Sequence, residues 1–176
     1  MESRVSAGCG GMNDTLAAAP VPVRRRGQRG NTMVEAAFVL VPLLALIFAI
    51  IDFGLAIFVR STLQHATREG VRYAITYQTF TGMSHDESIK KVVQDAAMGF
   101  LSGDAGLQKI QIRYYDPTNL VEVPDNSPGN VVEVSVENYT WGWLAQLMRN
   151  APPLQITTRS SDRMEGLPPG QNPPPR

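Results

Sequence analysis

The chain has 176 residues, and its 16 basic and 16 acidic side chains give a formal net charge of zero at pH 7. Residues 1–30 contain five arginines against Glu2 and Asp14, which leaves residues 31–176 with a net charge of −3. Without a basic excess such a chain does not attract nucleic acid electrostatically, and its length allows one domain beside a membrane helix.

Residues 1–30 are interpreted as a basic leader. Cys9, the only cysteine, lies in it, and the preceding Ser6-Ala7-Gly8 is a poor lipoprotein signal because no apolar stretch comes before it. Four basic residues precede the following apolar run and three follow it, so the positive-inside rule slightly favours a cytoplasmic amino terminus. The four are Arg24, Arg25, Arg26 and Arg29, and the three are Arg60, Arg68 and Arg72.

The apolar run extends from Ala36 to Val59 and contains one charged residue, Asp52. As a helix it would be about 36 Å long, against roughly 30 Å for the hydrocarbon core of a bilayer. The sequence therefore predicts a transmembrane helix at residues 31–59 and a continuing stalk helix at residues 60–79. Glu35 lies at the start of the run, where an ionised side chain costs free energy, so we expect it to have a function.

Residues 80–163 are predicted to form an extracytoplasmic α+β domain that folds without the membrane helix. Ser84-His-Asp-Glu87 is a capping-box pattern, and apolar residues follow it at helical spacing. Apolar and polar residues then alternate with the period of a strand, which predicts an antiparallel sheet with one face against the helix. The strand candidates are Ile110 to Tyr115, Val121 to Val123, Val132 to Glu137 and Leu154 to Thr158.

Three further features carry structural expectations. Gly70 inside the stalk helix indicates close packing or a bend, since glycine costs about 1 kcal/mol there relative to alanine. A short helix is predicted from Trp141 to Met148, with Trp141 and Trp143 as core anchors rather than an exposed binding platform. Residues 164–176 are predicted to be a disordered proline-rich tail, because five prolines after Gly166 leave little to bury.

The sequence gives no pattern typical of catalysis. His65 and His85 have no cysteine or carboxylate at metal-ligand spacing, and we interpret both as solvated surface histidines. No glycine cluster is followed by the lysine and hydroxyl pair of a phosphate-binding loop. We therefore expect no enzyme activity, cofactor, metal site or small-molecule substrate, and a membrane-tethered enzyme is disfavoured.

A basic leader, Gly30, a four-residue spacer, Glu35 and a hydrophobic helix together resemble the class III signal of type IV pilins and pseudopilins. In that family a membrane peptidase cuts after the glycine and leaves the helix on the mature protein. The resemblance implies that Asn31 becomes the new amino terminus. It also implies that the Glu35 carboxylate pairs with the Asn31 ammonium group of a neighbouring subunit and sets the stagger between helices.

From Arg29 to Ala74 the sequence is similar to the TadE-like family of minor pseudopilins from tight-adherence (Flp-type) pilus systems. The shared features are a proline early in the span, an acidic-Phe-Gly triplet near its end, and an Arg-Glu-Gly-x-Arg-Tyr stretch beyond it. Major pilins tend to have tyrosine after the glutamate, so Ala36 favours a minor component. The matching residues are Pro42, Asp52, Phe53, Gly54, Arg68, Glu69, Gly70, Arg72 and Tyr73.

The resemblance implies a non-catalytic pilus-assembly protein with a single span in the inner (cytoplasmic) membrane and a small pilin-like domain that is periplasmic or extracellular. Its expected partners are the membrane, the prepilin peptidase, other pilins or pseudopilins and the pilus machinery. An alternative is an uncleaved, signal-anchored protein whose outer domain binds a ligand or partner. Asp52 is equally compatible with a role in helix pairing and with a position at the membrane boundary.

Overall fold

The computed structural model describes residues 28–144 and 150–176, with side chains from Thr32 onward. The chain divides into two compact units, Met1–Leu40 and Val41–Arg176. In chain order the elements are α1 (Gln28–Ile75), α2 (His85–Ala96), α3 (Gly103–Leu107), β1 (Ile110–Tyr115), β2 (Glu122–Val123), β3 (Val131–Trp141) and β4 (Leu154–Arg163).

The amino-terminal part of α1 carries exposed apolar side chains. In the first unit these side chains extend from Met33 to Leu40, and Phe38 is 78% exposed. In the second unit the large apolar side chains from Val41 to Ile51 are exposed as well. Within the part of the chain that the structure describes, α1 is the one helix long and apolar enough to cross a membrane. A helix that is apolar on all sides and uncovered by protein fits a lipid environment.

From Asp52 onward α1 is buried along one face only. The buried positions recur every three or four residues, which places them in one stripe along the helix. Five of them, Val59, Leu63, Ala66, Val71 and Ala74, form part of the hydrophobic core together with α2 and the sheet. The whole stripe consists of Asp52, Ala56, Val59, Thr62, Leu63, Ala66, Thr67, Gly70, Val71 and Ala74.

The core therefore extends outside residues 80–163. Val59, Leu63 and Ala66 of α1 are as deeply buried as the core residues of the strands. A fragment that starts at residue 80 would expose the surface that α1 covers, so the expectation that these residues fold without the helix is not supported. The sequence did not reveal that α1 belongs to the core, because the buried stripe begins inside the apolar run and cannot be distinguished there from residues that face lipid.

Helix α2 begins as its sequence predicts. The Ser84 hydroxyl accepts a hydrogen bond from the backbone N–H of Glu87 at 3.3 Å, and the Glu87 carboxylate accepts one from the N–H of Ser84 at 2.9 Å. This reciprocal pair is a complete capping box. Ile89 and Val93 of α2 are fully buried.

The four strands form one antiparallel sheet in the order β2-β1-β3-β4. Tyr114 in β1 pairs with Val132 in β3, and both side chains lie in the core. The pairing of β3 with β4 shifts register between Val136 and Tyr139. The predicted class, a long apolar helix followed by a helix packed on an antiparallel sheet, is confirmed.

The predicted helix from Trp141 to Met148 differs from the structure at its start. Trp141 is the last residue of β3 and pairs with Leu154 of β4. Trp141 is also half-buried against the core, and the indole N–H of Trp143 donates to the Pro152 carbonyl at 3.0 Å. The end of the predicted helix, residues 145–148, lies outside the described residues.

At Gly70 the backbone of α1 lies close to the rest of the core. A Cβ atom at this position would lie 2.4 Å from Cγ2 of Val93 and 3.4 Å from Cγ1 of Val134. Glycine thus allows both α2 and the sheet to approach the α1 backbone. Of the two expectations for Gly70, close packing is the one observed.

We expect Gly70→Ala to lower the free energy of unfolding by about 1 kcal/mol. Alanine gains up to about 1 kcal/mol in helix propensity, whereas overpacking a core costs about 1–3 kcal/mol, so the packing effect dominates. Thermal unfolding of the full chain in detergent measures the difference. Gly54→Ala on the same helix is the matched control, since a Cβ there meets nothing within 4 Å and should leave stability equal or higher.

Val93→Ala removes the side chain that blocks the new methyl group. The double variant Gly70→Ala with Val93→Ala should therefore be more stable than the sum of the two single effects indicates. Additive effects would show that Gly70 is not required for close packing.

Candidate assembly site

The residues expected to take part in processing lie at the start of α1. The helix begins at Gln28, so the backbones of Gly30 and Asn31 are in its first turn. Glu35 lies one turn after Asn31, and its side chain is exposed. Positions four apart share a helix face, so the proposed new amino terminus and the carboxylate lie on one side of α1.

Pro42 lies inside α1 and is exposed. Proline lacks a backbone N–H, so one helical hydrogen bond is missing at this point. The structure keeps the helix continuous through the proline, as the predicted span requires.

The acidic-Phe-Gly triplet places its three residues in different surroundings. Asp52 is only 1% exposed, and its carboxylate accepts a hydrogen bond from the backbone N–H of Leu144 at 2.8 Å. Phe53 is 62% exposed, and no atom lies within 4 Å of a Cβ built on Gly54. Asp52 thus connects α1 to the segment after β3 within the same chain. Its role in pairing with another helix stays a prediction.

The second motif combines one buried position with a charged outer face. Gly70 is buried, Glu69 is half-buried, and Arg68 and Arg72 are exposed. The ring of Tyr73 stacks on Phe80 at 5.6 Å between centroids and 20° between planes. The motif therefore packs against the loop before α2 on one side and presents arginines on the other.

Arg60, Arg68 and Arg72 belong to one row on the outer face of α1. They and Gln64 occur at intervals of four residues, the spacing of a single helix ridge. An open cavity of about 780 Å³ lies along the first part of this ridge, lined by Ile57, Arg60, Ser61, Gln64, His65 and Arg68. This arginine ridge is the most basic surface of α1 outside the apolar segment.

A model of the TadE-like protein family matches residues 30–72. The match confirms the resemblance that the sequence motifs indicated, and it includes every motif residue except Tyr73, which follows it directly. No significant match was found among curated proteins or among solved structures. We call the matched part of α1, from Gly30 to Arg72, the TadE-like segment.

Outside the TadE-like segment, the structure corrects the interpretation of His85. We expected a solvated histidine, but His85 is fully buried. Its ring stacks on Tyr77 with centroids 5.9 Å apart, and Nδ1 lies 3.2 Å from the Asn126 amide nitrogen and 3.3 Å from the Tyr114 hydroxyl. His65, in contrast, is exposed as expected.

The hydrogen bonds around His85 indicate its protonation state. Asn126 can only donate through its amide nitrogen, so Nδ1 of His85 accepts this hydrogen bond. The Tyr114 hydroxyl donates to Asp86 at 2.9 Å. Burial lowers the pKa of His85. The charge of Asp86 and the Ala74 carbonyl oppose this effect, whereas the charge of Arg176 reinforces it. The buried imidazole is therefore held neutral.

The structure also corrects the expectation that the proline-rich tail, residues 164–176, is disordered. Met164 is buried, and the tail ends against α2 and β1. The carbonyl of Pro175 accepts from the backbone N–H of His85 at 2.8 Å, and that of Pro174 accepts from the Asn126 amide at 3.0 Å. The composition of the tail indicates only that it cannot form a hydrophobic core of its own. It does not reveal that the tail carbonyls make specific hydrogen bonds to the domain.

Arg176 completes the contact. Its guanidinium group donates to the Asp86 carboxylate at 3.0 Å and lies 4.5 Å from the centroid of the Tyr114 ring. It also donates to the carbonyl of Pro124. We call the surface formed by His85, Asp86, Tyr114, Pro124 and Asn126 the tail-binding site. Its residues lie up to 41 positions apart, and no local pattern in the sequence connects them.

The buried His85 predicts a loss of stability in mild acid. Because its folded-state pKa is below the unfolded value of about 6.5, the unfolded chain binds the proton more tightly. Stability should therefore decrease as pH falls below about 6.5. Thermal unfolding of the full chain in detergent between pH 7.5 and 5 measures this decrease.

The matched variants are His85→Gln and His65→Gln. The first should reduce the pH dependence, whereas the second replaces an exposed histidine on α1 and should leave it unchanged. Equal pH dependence in the wild type and in His85→Gln would contradict a neutral buried imidazole.

Proposed function

We propose that this protein is a membrane-anchored minor pseudopilin that takes part in the assembly of a tight-adherence (Flp-type) pilus. The family match to residues 30–72 carries this proposal. It is supported by the two parts of α1, an exposed apolar part suited to lipid and a part built into a folded domain. In this proposal the protein has a structural role and no catalytic activity.

The site chemistry fits a structural role. Among residues 28–144 and 150–176, no group of three or more His, Cys, Asp or Glu side chains is placed to hold a metal ion. His85 is a buried titratable group, and its ring is stacked and hydrogen-bonded within the domain. Its surroundings therefore stabilise the fold rather than present a reactive group.

Assembly would take place through the exposed apolar part of α1. Lipid tails provide no hydrophobic driving force between helices, so packing and polar contacts determine how helices associate in a membrane. We propose that Glu35 provides the polar contact by pairing with the ammonium group of Asn31 on a neighbouring subunit. A shifted alignment would leave a charge unpaired, which is costly in a dry environment.

In the proposed orientation the leader is cytoplasmic, α1 crosses the inner membrane, and α2 with the sheet is periplasmic or extracellular. Asp52, where α1 begins to be covered by the domain, then lies near the outer boundary of the membrane. The arginine ridge lies beyond this boundary, where it is available to pilus-machinery partners.

The first test is processing by the prepilin peptidase. Wild-type protein from cells that contain this peptidase should begin at Asn31, as determined by amino-terminal sequencing. Gly30→Leu should leave a precursor about 30 residues longer, because the peptidase requires glycine before the cut. Gly27→Leu is the matched control, since Gly27 lacks an acidic residue five positions later and should not affect processing. An uncut wild-type chain would instead favour the signal-anchored alternative.

The second test separates processing from assembly. Glu35→Ala should be cut and inserted normally, whereas its cross-linking to other pilus subunits should decrease at least tenfold because the Asn31 ammonium group loses its partner. Glu35→Asp keeps the charge and should retain part of the cross-linking. Normal piliation with unchanged cross-linking in Glu35→Ala would exclude the pairing role.

A further inference from the structure

The tail-binding site contacts its occupant in the way that proteins bind extended proline-rich segments. Proline has no N–H to donate, so such segments are recognised through their carbonyl groups and by aromatic surfaces. Here the carbonyls of Pro174 and Pro175 accept from two donors on different elements, the Asn126 amide and the His85 backbone N–H. The N–H of His85 is in the first turn of α2, where backbone donors have no partner within the helix.

The site also contains a pocket for an arginine side chain. Asp86 is oriented by the Tyr114 hydroxyl through one oxygen and receives the Arg176 guanidinium group on the other. The Tyr114 ring lies beneath the guanidinium group, which adds a cation–π contact. The Pro124 carbonyl accepts another guanidinium N–H. The carboxylate of Asp86, the ring of Tyr114 and the carbonyl of Pro124 together favour arginine over lysine. The planar guanidinium group can contact all three at once, because it has several N–H donors and a flat face.

Part of the site belongs to the core of the domain. With the tail in place, His85 and Tyr114 are fully buried and Asn126 is 5% exposed, and Tyr114 is one of the core residues. The tail residues before Pro174 are mostly exposed. Between Met164 and Pro174 the backbone N–H of Glu165 donates to the Ile75 carbonyl, and the N–H of Gln171 donates to the Pro168 carbonyl within a turn.

The connector of nine residues, 165–173, can extend about 30 Å. Release of Pro174 to Arg176 therefore does not require β4 to leave the sheet. The tail thus has the features of a ligand that is tethered to its own site.

We propose that the tail-binding site is a recognition site for Pro-Pro-Arg segments, and that the tail of a second copy of this chain can occupy it. The second copy is the occupant that the chemistry favours, because its tail carries the same two carbonyl acceptors and the same guanidinium group opposite Asp86. The residues concerned lie outside the TadE-like segment, so the proposal does not depend on the pilus function.

Within one molecule the tethered tail has the advantage, because short flexible linkers give effective concentrations in the millimolar range. Replacement of a molecule's own tail by the tail of another copy is therefore expected only where the chain is concentrated, as in a membrane or an assembly. A chain without its own tail should bind a free tail most readily.

Binding of the peptide Gln-Asn-Pro-Pro-Pro-Arg tests the site directly. The full chain with residues 171–176 deleted, in detergent, should bind the fluorescently labelled peptide saturably, and wild type should bind it at least tenfold more weakly. Asp86→Ala in the shortened chain should reduce affinity at least tenfold, whereas Asp104→Ala, in the first turn of α3, should not. A peptide with alanine in place of arginine should bind as weakly as the Asp86→Ala chain binds the original peptide.

Circular dichroism and thermal unfolding establish that each variant is folded. Absence of saturable binding to a folded shortened chain would overturn the recognition site. Equal affinity for the arginine and alanine peptides would overturn the arginine pocket.

Mixing two variants tests the second copy as occupant. An affinity-tagged full chain with Asp86→Ala has a tail but a weakened site, and the shortened chain has a site but no tail. The pair should co-purify in detergent, and co-purification should be lost when the tagged chain also carries Arg176→Ala. Peptide binding without co-purification of the pair would overturn the second copy and leave another Pro-Pro-Arg partner as the occupant.

Discussion

The close approach of α1 to the rest of the core at Gly70 is the constraint on which the domain depends. A backbone with no Cβ at this position lets Val93 of α2 and Val134 of β3 pack on the same turn of α1. Because three elements meet there, α1 is a structural part of the domain as well as its connection to the membrane. The glycine costs helix propensity, and the apolar contacts that it permits offset that cost.

Asp52 lies where the surroundings of α1 change. Before it the large apolar side chains are exposed, and after it one face is buried every three or four residues. A buried polar group costs free energy unless it is hydrogen-bonded, and the N–H of Leu144 donates such a bond to Asp52. Asp52 thus links α1 to the segment after β3.

The sequence predicted what depends on local patterns. The capping box at Ser84 and the alternating strands around Ile112 and Val134 each follow from residues a few positions apart. Gly70 indicated close packing or a bend, and only the fold shows that its partners are Val93 and Val134. The burial of His85 and the docking of the tail depend on residues from α2, β1 and the loop before β3, which only the fold brings together. The buried stripe on α1 was missed for another reason, since its first residues lie within a run that is apolar on every side.

The TadE-like segment and the tail-binding site are on different parts of the domain, and the end of α1 connects them. The N–H of Glu165, where the tail begins, donates to the carbonyl of Ile75, the last residue of α1. Tyr77, just beyond, stacks on His85 and donates to the Asn126 carbonyl at 3.2 Å. These contacts place the tail-binding site beside the carboxyl end of α1. Asp52 and the apolar part of α1 lie more than 20 residues earlier along the helix, and Gly70 holds the intervening turns in the core.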